Sequence, residues 1–456
     1  MKKIISLLPI GIGLMLTACQ KEEVCNLTCG AGEVLTADCT CAVIDPCAAV
    51  TCASGQVCDD GTCITLVNDP CANVTCDEGY ACSDGTCVLV TTDLVIDRNI
   101  TEDETWSKEN TYILGGRVTV EAGATLTIEA GTVIKGQAGT GVNATALLVA
   151  RGAKLMAEGT EDAPIIFTSI ADEITAADIA DGNFESPNLD PTVNGLWGGV
   201  IILGNAKIST DNDAGEDISE VQIEGIPTSD SNGLYGGNDD EDNSGVIKFI
   251  SIRHGGANIG AGNEINGLTL GGVGAGTVIE NVEVVANQDD GIEWFGGTVN
   301  VKNAVVWNAG DDGLDTDQSW GGSVDNFVVI TPNGHNFELD GPEGSYEAGH
   351  VIKNGWVIAS VGDRVSSDLI NVDANSIVDL QNIFITSIAE GQQINRVTAP
   401  AVTFTGIELD VPADQLASHV NGEVPAGVTA APGGPTQTGA DITVFGWTWA
   451  KRSGQF

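Results

Sequence analysis

Basic residues are scarce in this sequence. It has 18 Lys and Arg against 64 Asp and Glu, which gives a net charge of −46 over 456 residues. A surface of that sign repels nucleic acid and anionic membranes, and it lacks the clustered Lys and Arg that such partners need. The composition therefore excludes a nucleic-acid-binding protein. The acidic excess either attracts divalent cations or serves solubility alone.

Aromatic residues and long apolar runs are also scarce. Phe, Trp and Tyr make up 5% of the chain, whereas glycine occurs 59 times. Many glycines beside plentiful β-branched residues are typical of short strands joined by tight turns. No run of 18 or more apolar residues follows the N-terminal segment, so no transmembrane helix is predicted. The length indicates several modules or one elongated repeat.

The N-terminus has the pattern of an export signal. Two lysines precede an apolar stretch at residues 4–16, and Leu16-Thr17-Ala18-Cys19 follows. This arrangement resembles the signal peptide and lipobox of a bacterial lipoprotein, which implies that residues 1–18 are removed and Cys19 is lipidated. Gln20-Lys21-Glu22-Glu23 is similar to the export tag of surface lipoproteins of Bacteroidetes-type bacteria. The resemblance implies an outer-membrane protein that faces the exterior, and a periplasm-facing lipoprotein is the alternative.

Twelve further cysteines form three groups of four. The groups are Cys25, Cys29, Cys39 and Cys41; Cys47, Cys52, Cys58 and Cys63; and Cys71, Cys76, Cys82 and Cys87. The second and third groups share the spacing C-x4-C-x5-C-x4-C. An even count in an exported chain predicts two disulfides per group, with three pairings open in each. Zinc binding is the alternative, although close CxxC pairs are missing.

The two regular groups resemble the small EGF-like hairpin of follistatin-type domains. That resemblance implies that the first cysteine pairs with the third and the second with the fourth. We assign residues 19–44, 45–68 and 69–92 to three modules, of which the first also carries the anchor. Each is too small to build a core, so disulfides must stabilise it. We interpret the three cysteine modules as a spacer between the anchor and the main domain. Protein binding is the alternative role.

From residue 93 to about 415 the sequence consists of short apolar strands broken by glycine. Strands of this kind on three faces would make one coil of a β-helix. Asn281, Asn303, Asn326 and Asn354 recur at turn positions, which resembles the asparagine ladder of pectate-lyase-like proteins. The predicted fold class is therefore all-β, a right-handed parallel β-helix of the pectin-lyase-like type preceded by small disulfide-rich modules.

Three segments are expected to depart from the coils. Residues 171–195 and 229–244 are acidic, polar insertions, and residues 416–456 are predicted to form an irregular cap or tail. Within this tail, residues 444–449 are expected to be a last strand that covers the open end.

An acidic turn recurs at the spacing of one coil. Residues 287–293, 308–315 and 333–338 each begin with Asn and carry acidic residues at matching places, and a fainter echo begins at Asn266. Equivalent positions of successive coils stack about 4.8 Å apart. The predicted ladders are Glu293, Asp315 and Glu338, and Asp290, Asp312 and His335. Like charges this close repel one another unless a cation, a proton or water relieves them.

Ca²⁺ is the cofactor that these carboxylates predict, because it prefers oxygen ligands. The candidate ligands are Asp290, Glu293, Asp312 and Asp315 in the repeated turns and Asp239, Asp240, Glu241 and Asp242 in the second insertion. The alternative is a purely structural turn, since Asp-Asp-Gly is a common turn sequence.

The same turns resemble the site of polygalacturonase-type glycosidases. Asn287-Gln288-Asp289, Gly310-Asp311-Asp312 and Gly334-His335 match three of its elements. The resemblance implies Asp312 as the acid, Asp289 and Asp311 as bases, and His335 as the group that tunes the acid. Asn336 replaces a glycine of the pattern, and the Arg-x-Lys element is missing, so a polyuronate carboxylate would have no basic partner.

Trp294 and Trp320 stand near the acidic turns and are each followed closely by Gly-Gly. We expect them to be exposed glycan contacts, with core packing as the alternative. Taken together, the sequence predicts a surface lipoprotein that binds, adheres or serves as surface structure, with Ca²⁺ and with a polysaccharide or cell-surface protein as partner. A glycoside hydrolase that acts on acidic polysaccharide is the alternative, and a purely structural spike is a third interpretation.

Overall fold

The computed structural model describes residues 92–259, 265–436 and 439–456 continuously, and short stretches between residues 28 and 89. The described residues form two compact units, one from those within Met1–Thr75 and Cys82–Cys87, the other from those within Cys76–Ala81 and Val88–Phe456. Among them, no helix is long and apolar enough to cross a membrane. The predicted signal peptide, Cys19, Cys25 and Cys39 lie outside the described residues.

Each cysteine module contains an antiparallel hairpin. The hairpin strands are β1 (Glu33–Leu35), β2 (Cys41–Val43), β3 (Gln56–Asp59), β4 (Thr62–Thr65), β5 (Tyr80–Ser83) and β6 (Thr86–Leu89). Gly61 and Gly85 adopt positive φ angles of 78° and 87° in the turns after β3 and β5, as two-residue hairpins require.

Disulfides cross-link these hairpins. The bonds are Cys29–Cys41, Cys47–Cys58, Cys52–Cys63 and Cys71–Cys82, and Cys76 and Cys87 are disulfide-bonded as well. In the second module the first cysteine pairs with the third and the second with the fourth, so the predicted pairing is confirmed there. Bonded cysteines have no thiolate to offer zinc, which removes the alternative for these ten residues.

The second unit is built almost wholly from strands. The strands of its first half are β7 (Thr92–Ile96), β8 (Glu104–Trp106), β9 (Asn110–Leu114), β10 (Arg117–Val120), β11 (Thr125–Ile128), β12 (Val133–Gly136), β13 (Ala146–Val149), β14 (Lys154–Glu158), β15 (Ile165–Ser169), β16 (Val200–Leu203), β17 (Thr210–Asp211), β18 (Asp217–Ile218), β19 (Val221–Gln222) and β20 (Leu234–Tyr235). Helices there are short: α1 (Ala176–Ala180) and 3₁₀ turns at Gly141–Asn143 and Ser231–Gly233.

Longer strands make up the second half. They are β21 (Gly245–Arg253), β22 (Leu268–Gly271), β23 (Val278–Val285), β24 (Ile292–Phe295), β25 (Asn300–Trp307), β26 (Leu314–Asp317), β27 (Ser323–Ile330), β28 (Phe337–Leu339), β29 (His350–Ile358), β30 (Ser360–Val361), β31 (Arg364–Val365), β32 (Asn371–Val372), β33 (Ile377–Thr386), β34 (Ala401–Leu409) and β35 (Val428–Ala430). The last helices are α2 (Trp449–Arg452) and 3₁₀ turns at Leu416–His419 and Ile442–Phe445.

Two parallel sheets form the coils. The smaller has eight strands in the order β10-β13-β16-β22-β24-β26-β28-β32, and the larger runs from β7 to β35 through β21, β23, β25, β27, β29, β33 and β34. Both β14 and β15 pair with β21, at different residues. From β21 onward, one long strand therefore forms two faces of each coil, where two separate strands did so before. This stacked parallel arrangement is the predicted β-helix.

The long strands bend at one left-handed residue per coil. Asn281, Asn303, Asn326, Asn354 and Asn382 have φ angles between 52° and 66°. Asparagine tolerates this conformation better than other residues with a Cβ. The Asn303 amide donates to Asn281 Oδ1 at 2.9 Å, and the Asn326 amide donates to Asn303 Oδ1 at 2.8 Å. The predicted asparagine ladder is thus confirmed, and Asn382 extends it by one coil.

Two insertions leave the coils. The first, residues 171–195, lies between β15 and β16 and contains α1, whose Thr175 and Asp178 form a capping box. The second occupies residues 204–244, before β21, and contains the hairpins β17–β18 and β19–β20. It is longer than the predicted 229–244, because these short hairpins resemble coil strands in sequence.

The C-terminal segment differs from its prediction. The sheet continues to β35, beyond the expected end of the β-helix at residue 415. Residues 444–449 do not form a strand: Asp441 accepts the Thr443 N–H at 3.0 Å and Thr448 accepts the Lys451 N–H at 3.2 Å. Side-chain caps of this kind begin helical turns. We call residues 439–456 the C-terminal strap, which packs on the larger sheet.

Candidate functional site

The smaller sheet places acidic side chains in register on successive coils. Glu293 on β24 is aligned with Asp315 on β26, which is aligned with Glu338 on β28. Thr269 precedes this row and Asn371 follows it. The first predicted ladder is confirmed.

A second row runs through the turns that precede these strands. Asp290 Oδ1 accepts the Asp312 N–H at 2.8 Å, and Asp312 Oδ1 accepts the His335 N–H. Asn266 Oδ1 in turn accepts the Asp290 N–H at 3.3 Å. Each side chain therefore caps the backbone of the next coil, which confirms the second predicted ladder and gives its carboxylates a structural role.

Carboxylates from both rows converge. We define the acidic column as Asp289, Asp290, Glu293, Asp311, Asp312, Asp315, His335 and Glu338. Three groups within it can each bring one ligand atom per residue to within 4.8 Å of one another: Asp289, Asp290 and Asp311; Asp290, Glu293 and Asp315; and Asp312, His335 and Glu338. Asp290 belongs to two of the groups, so two adjacent sites would share it.

The middle group is buried without a basic partner. Asp290 and Glu293 are 7% and 8% exposed, and Asp315 is partly buried. In residues 92–259, 265–436 and 439–456, no Lys or Arg forms an ion pair with any of the three. Burial raises the pKa of each carboxyl well above its ordinary value, and the neighbouring carboxylates raise it further.

His335 supplies positive charge to the third group. Its Nδ1 lies 3.2 Å from Asp312 Oδ1 and 3.8 Å from Glu338 Oε2, and its Nε2 lies 3.9 Å from Asp368 Oδ2. The contacts with Asp312 and Glu338 raise the pKa of His335 to about 10, and His335 lowers the pKa of Glu338 to about 2. Burial raises the pKa of Asp312 to about 7.

Two further acidic residues extend the face of the column and were missed in the sequence. Asp317 and Asp340 follow Asp315 and Glu338 by two positions, and side chains two apart on a strand share a face. Burial, with help from Glu343, raises the pKa of Asp317 to about 7. Burial, with help from Asp373, raises the pKa of Asp340 to about 6. Period-two alternation was the signal that could have found them.

The acidic loop of the second insertion is arranged differently. Asp240 forms an ion pair with Lys207 at 2.7 Å, and Asp242 accepts the Asn205 amide at 2.9 Å. Asp239 caps the Glu241 N–H at 3.2 Å. In the described part of the chain, the loop residues Asp239, Asp240, Glu241 and Asp242 form no converging ligand group.

The prediction that Trp294 and Trp320 are exposed is wrong. Their exposed fractions are 0% and 1%, and their rings stack with centroids 4.6 Å apart inside the coils. Trp294 follows Glu293 on β24, and consecutive strand residues point to opposite faces, so an outward carboxylate requires an inward indole. Neither tryptophan can contact a glycan, and core packing explains both.

The residues of the glycosidase pattern are only partly accessible. Asp289 is partly buried, Asp311 is exposed and Asp312 is buried. Asp312 Oδ1 is held by the His335 backbone. Arg364, an isolated basic residue later in the chain, donates to Ala309 O and Thr331 O at 3.3 Å each and so binds backbone. The polyuronate-binding cation that the pattern requires is not supplied by this residue.

Stacked parallel coils with an asparagine ladder and a row of aligned carboxylates define the class of protein: a pectate-lyase-like β-helix. A family model described as pectate-lyase like beta helix domain matches residues 98–182 and 184–421, and the chain belongs to this family. No curated protein and no solved structure matches the chain. A fold hosts many functions, so the acidic column, and not the fold, indicates what this chain does.

The raised pKa values predict how the metal-free protein responds to pH. A carboxyl whose folded pKa is raised destabilises the fold as the pH rises through that value. Ionisation of Asp312 lowers the stability of the fold up to about pH 7. The stabilisation that protonated His335 provides is also lost as the pH rises towards about 10. In EDTA, the thermal midpoint should therefore fall between about pH 5 and about pH 8.

The Glu293→Gln/Asp315→Asn variant removes two of the raised groups, so its midpoint should fall less steeply over the same range. Thermal unfolding followed by circular dichroism measures both slopes. A midpoint that rises with pH in the wild-type protein would contradict the assignment of these buried carboxyls.

Proposed function

We propose that this chain is a lipid-anchored surface protein whose β-helix is a binding or adhesion module, with Ca²⁺ held in the acidic column. The observation that carries the proposal is the buried group of Asp290, Glu293 and Asp315, which has no Lys or Arg ion pair among the described residues.

The charge of this group demands compensation. Two carboxylates 4.8 Å apart repel each other by on the order of 3 kcal/mol at an effective dielectric constant of about 20. Two all-carboxylate groups share Asp290, so leaving their five carboxylates ionised would cost a substantial part of a typical folding free energy. Protons relieve the repulsion at low pH, and a cation relieves it at neutral pH.

Ca²⁺ fits the donor set better than other common cations. The group of Asp289, Asp290 and Asp311 and the group of Asp290, Glu293 and Asp315 offer carboxylate oxygens only. Ca²⁺ accepts six to eight oxygen ligands in flexible geometry, whereas Mg²⁺ demands a nearly ideal octahedron. Asp290 would bridge the two sites, so we expect binding at one to depend on the other.

A cation-loaded column also suggests a kind of partner. Ca²⁺ with open coordination positions at the exposed Asp311 would bind an anionic polysaccharide or an acidic cell-surface protein that the bare face repels. The glycosidase interpretation is not favoured, because the buried Asp312 is committed to the next coil. The cysteine modules and the anchor at Cys19 would display the β-helix outside the cell.

Calcium-dependent unfolding tests the cation site. Ca²⁺ at about 100 times its dissociation constant should stabilise the wild-type protein by about 2.7 kcal/mol, which corresponds to several degrees in midpoint. Asp290→Asn/Glu293→Gln should lose this response and should exceed the wild-type midpoint in EDTA, since the repulsion is gone. Differential scanning calorimetry with Ca²⁺, Mg²⁺ and EDTA measures each effect.

A matched double variant controls for the general loss of charge. Asp414→Asn/Glu423→Gln neutralises two exposed carboxylates outside the column and should keep the full calcium response. An equal response in both double variants, or none in the wild-type protein, would remove the column as a calcium site.

Labelling with a fatty-acid analogue tests the anchor. In a bacterial host that sorts surface lipoproteins, the wild-type chain should take up the label, fractionate with the outer membrane and be cut by external protease. Cys19→Ser should lose the label and the membrane association. Glu22→Ala/Glu23→Ala should keep the label and lose access to protease, because the anchor is intact and the export tag is not. Labelling of the Cys19→Ser variant would show that the lipid is elsewhere.

A further inference from the structure

The C-terminal strap is bound to the larger sheet by aromatic side chains. Phe445, Trp447 and Trp449 are 0%, 1% and 4% exposed. Trp449 packs edge-on against Trp307 with ring centroids 5.7 Å apart, and Trp447 packs edge-on against Phe249 at 5.6 Å. A tail with three buried aromatic residues is part of the folded body and does not behave as a free end.

A buried carboxylate anchors the strap. Glu283 on β23 is 0% exposed, and its Oε1 accepts the Ala450 N–H at 2.9 Å. Its Oε2 accepts the Ser251 hydroxyl at 2.6 Å, and Ser251 accepts the Arg253 Nε–H at 2.8 Å. Arg253 Nη2 stands 3.8 Å from Glu283. A buried charge requires donors, and the strap supplies one of them.

The strap also holds the first insertion. Arg452 donates to Gly182 O at 2.5 Å, lies 3.4 Å from Glu185 Oε1 and stacks over the Phe184 ring at 4.7 Å. Trp447 belongs to the same apolar cluster as Ile174 and Phe184 of this insertion. The strap and the insertion therefore share one small core, separate from the interior of the coils.

The first insertion in turn contacts the acidic turns. The Asn308 amide donates to Pro191 O at 2.9 Å, and the Asn194 amide donates to Asn287 O at 3.3 Å. Asn287 and Asn308 are the first residues of two turns of the acidic column. His254 joins both parts, because its Nδ1 meets Val193 O at 2.5 Å and its ring packs on Trp449.

We propose that the C-terminal strap is a clasp: its docking orders the first insertion, and the insertion braces the two turns that carry Asp289, Asp290, Asp311 and Asp312. Contacts run without a gap from Arg452 and Trp447 through the insertion to Asn287 and Asn308. Opening the strap thus loosens the wall of the acidic column, although no strap residue belongs to the column.

Hydrogen exchange of the full-length protein tests the clasp. Arg452→Ala removes the contacts with Gly182, Phe184 and Glu185 from a partly exposed side chain, so the fold should survive. Exchange should accelerate roughly tenfold or more for amides of residues 171–195, and measurably for residues 287–290 and 308–312. Arg452→Lys should show an intermediate effect, and Lys108→Ala, an exposed cation at another site, should show none.

The readout does not depend on any cation, so it separates this inference from the proposed function. Faster exchange in the strap alone, with the insertion and the acidic turns unchanged, would overturn the clasp. The Arg253 guanidinium lies over the Trp449 ring, 5.0 Å from its centroid. Trp449→Phe is a second variant, which keeps an aromatic ring at this contact while reducing its area. It should accelerate exchange in the strap and the insertion together.

Discussion

The structure depends on one constraint: stacking at strand spacing brings every residue next to its equivalent on the neighbouring coil. For the interior this is favourable, because aliphatic side chains pile into a continuous core. For Glu293 and Asp315 the stacking is unfavourable, because burial and the neighbouring carboxylate both disfavour the charged form of each side chain. Within the acidic column, the group of Asp290, Glu293 and Asp315 is therefore the place where buried like charge is not offset by a Lys or Arg ion pair among the described residues.

Two other rows of the same β-helix show how stacking is normally satisfied. The asparagine ladder satisfies most of its own hydrogen bonds, since the amides of Asn303, Asn326 and Asn382 each donate to the asparagine of the preceding coil. The Asn354 amide instead donates to Asp325. On the larger sheet, Lys248, Glu280, Lys302, Asp325 and Lys353 are aligned on successive strands with alternating sign, and Lys248–Glu280 and Asp325–Lys353 are ion pairs at 3.2 and 3.4 Å. In the part of the chain that the structure describes, the row of Glu293, Asp315 and Glu338 differs from these two rows because it repeats one sign on successive strands.

Periodicity made the coils, the asparagine ladder and both acidic rows predictable from the sequence, because each follows from a repeat of one coil. Cysteine spacing and a family resemblance predicted the disulfide pairing. Features set by distant contacts were not predictable. Lys207 forms its ion pair with Asp240, which is 33 residues away in the sequence. Ala450 of the strap donates to Glu283, which is 167 residues away. The inward orientation of Trp294 was predictable, because consecutive strand residues point to opposite faces and Glu293 before it points outward.

Terbium luminescence excited through tryptophan tests the central claim most directly. Tb³⁺ replaces Ca²⁺ at oxygen sites, and Trp294 and Trp320 lie inside the coils beneath the acidic column, so an ion held by Glu293 and Asp315 is close enough to be sensitised. We expect saturable emission that Ca²⁺ displaces and that Glu293→Gln/Asp315→Asn abolishes. Binding of Tb³⁺ without tryptophan-sensitised emission, or emission unchanged in that variant, would contradict it.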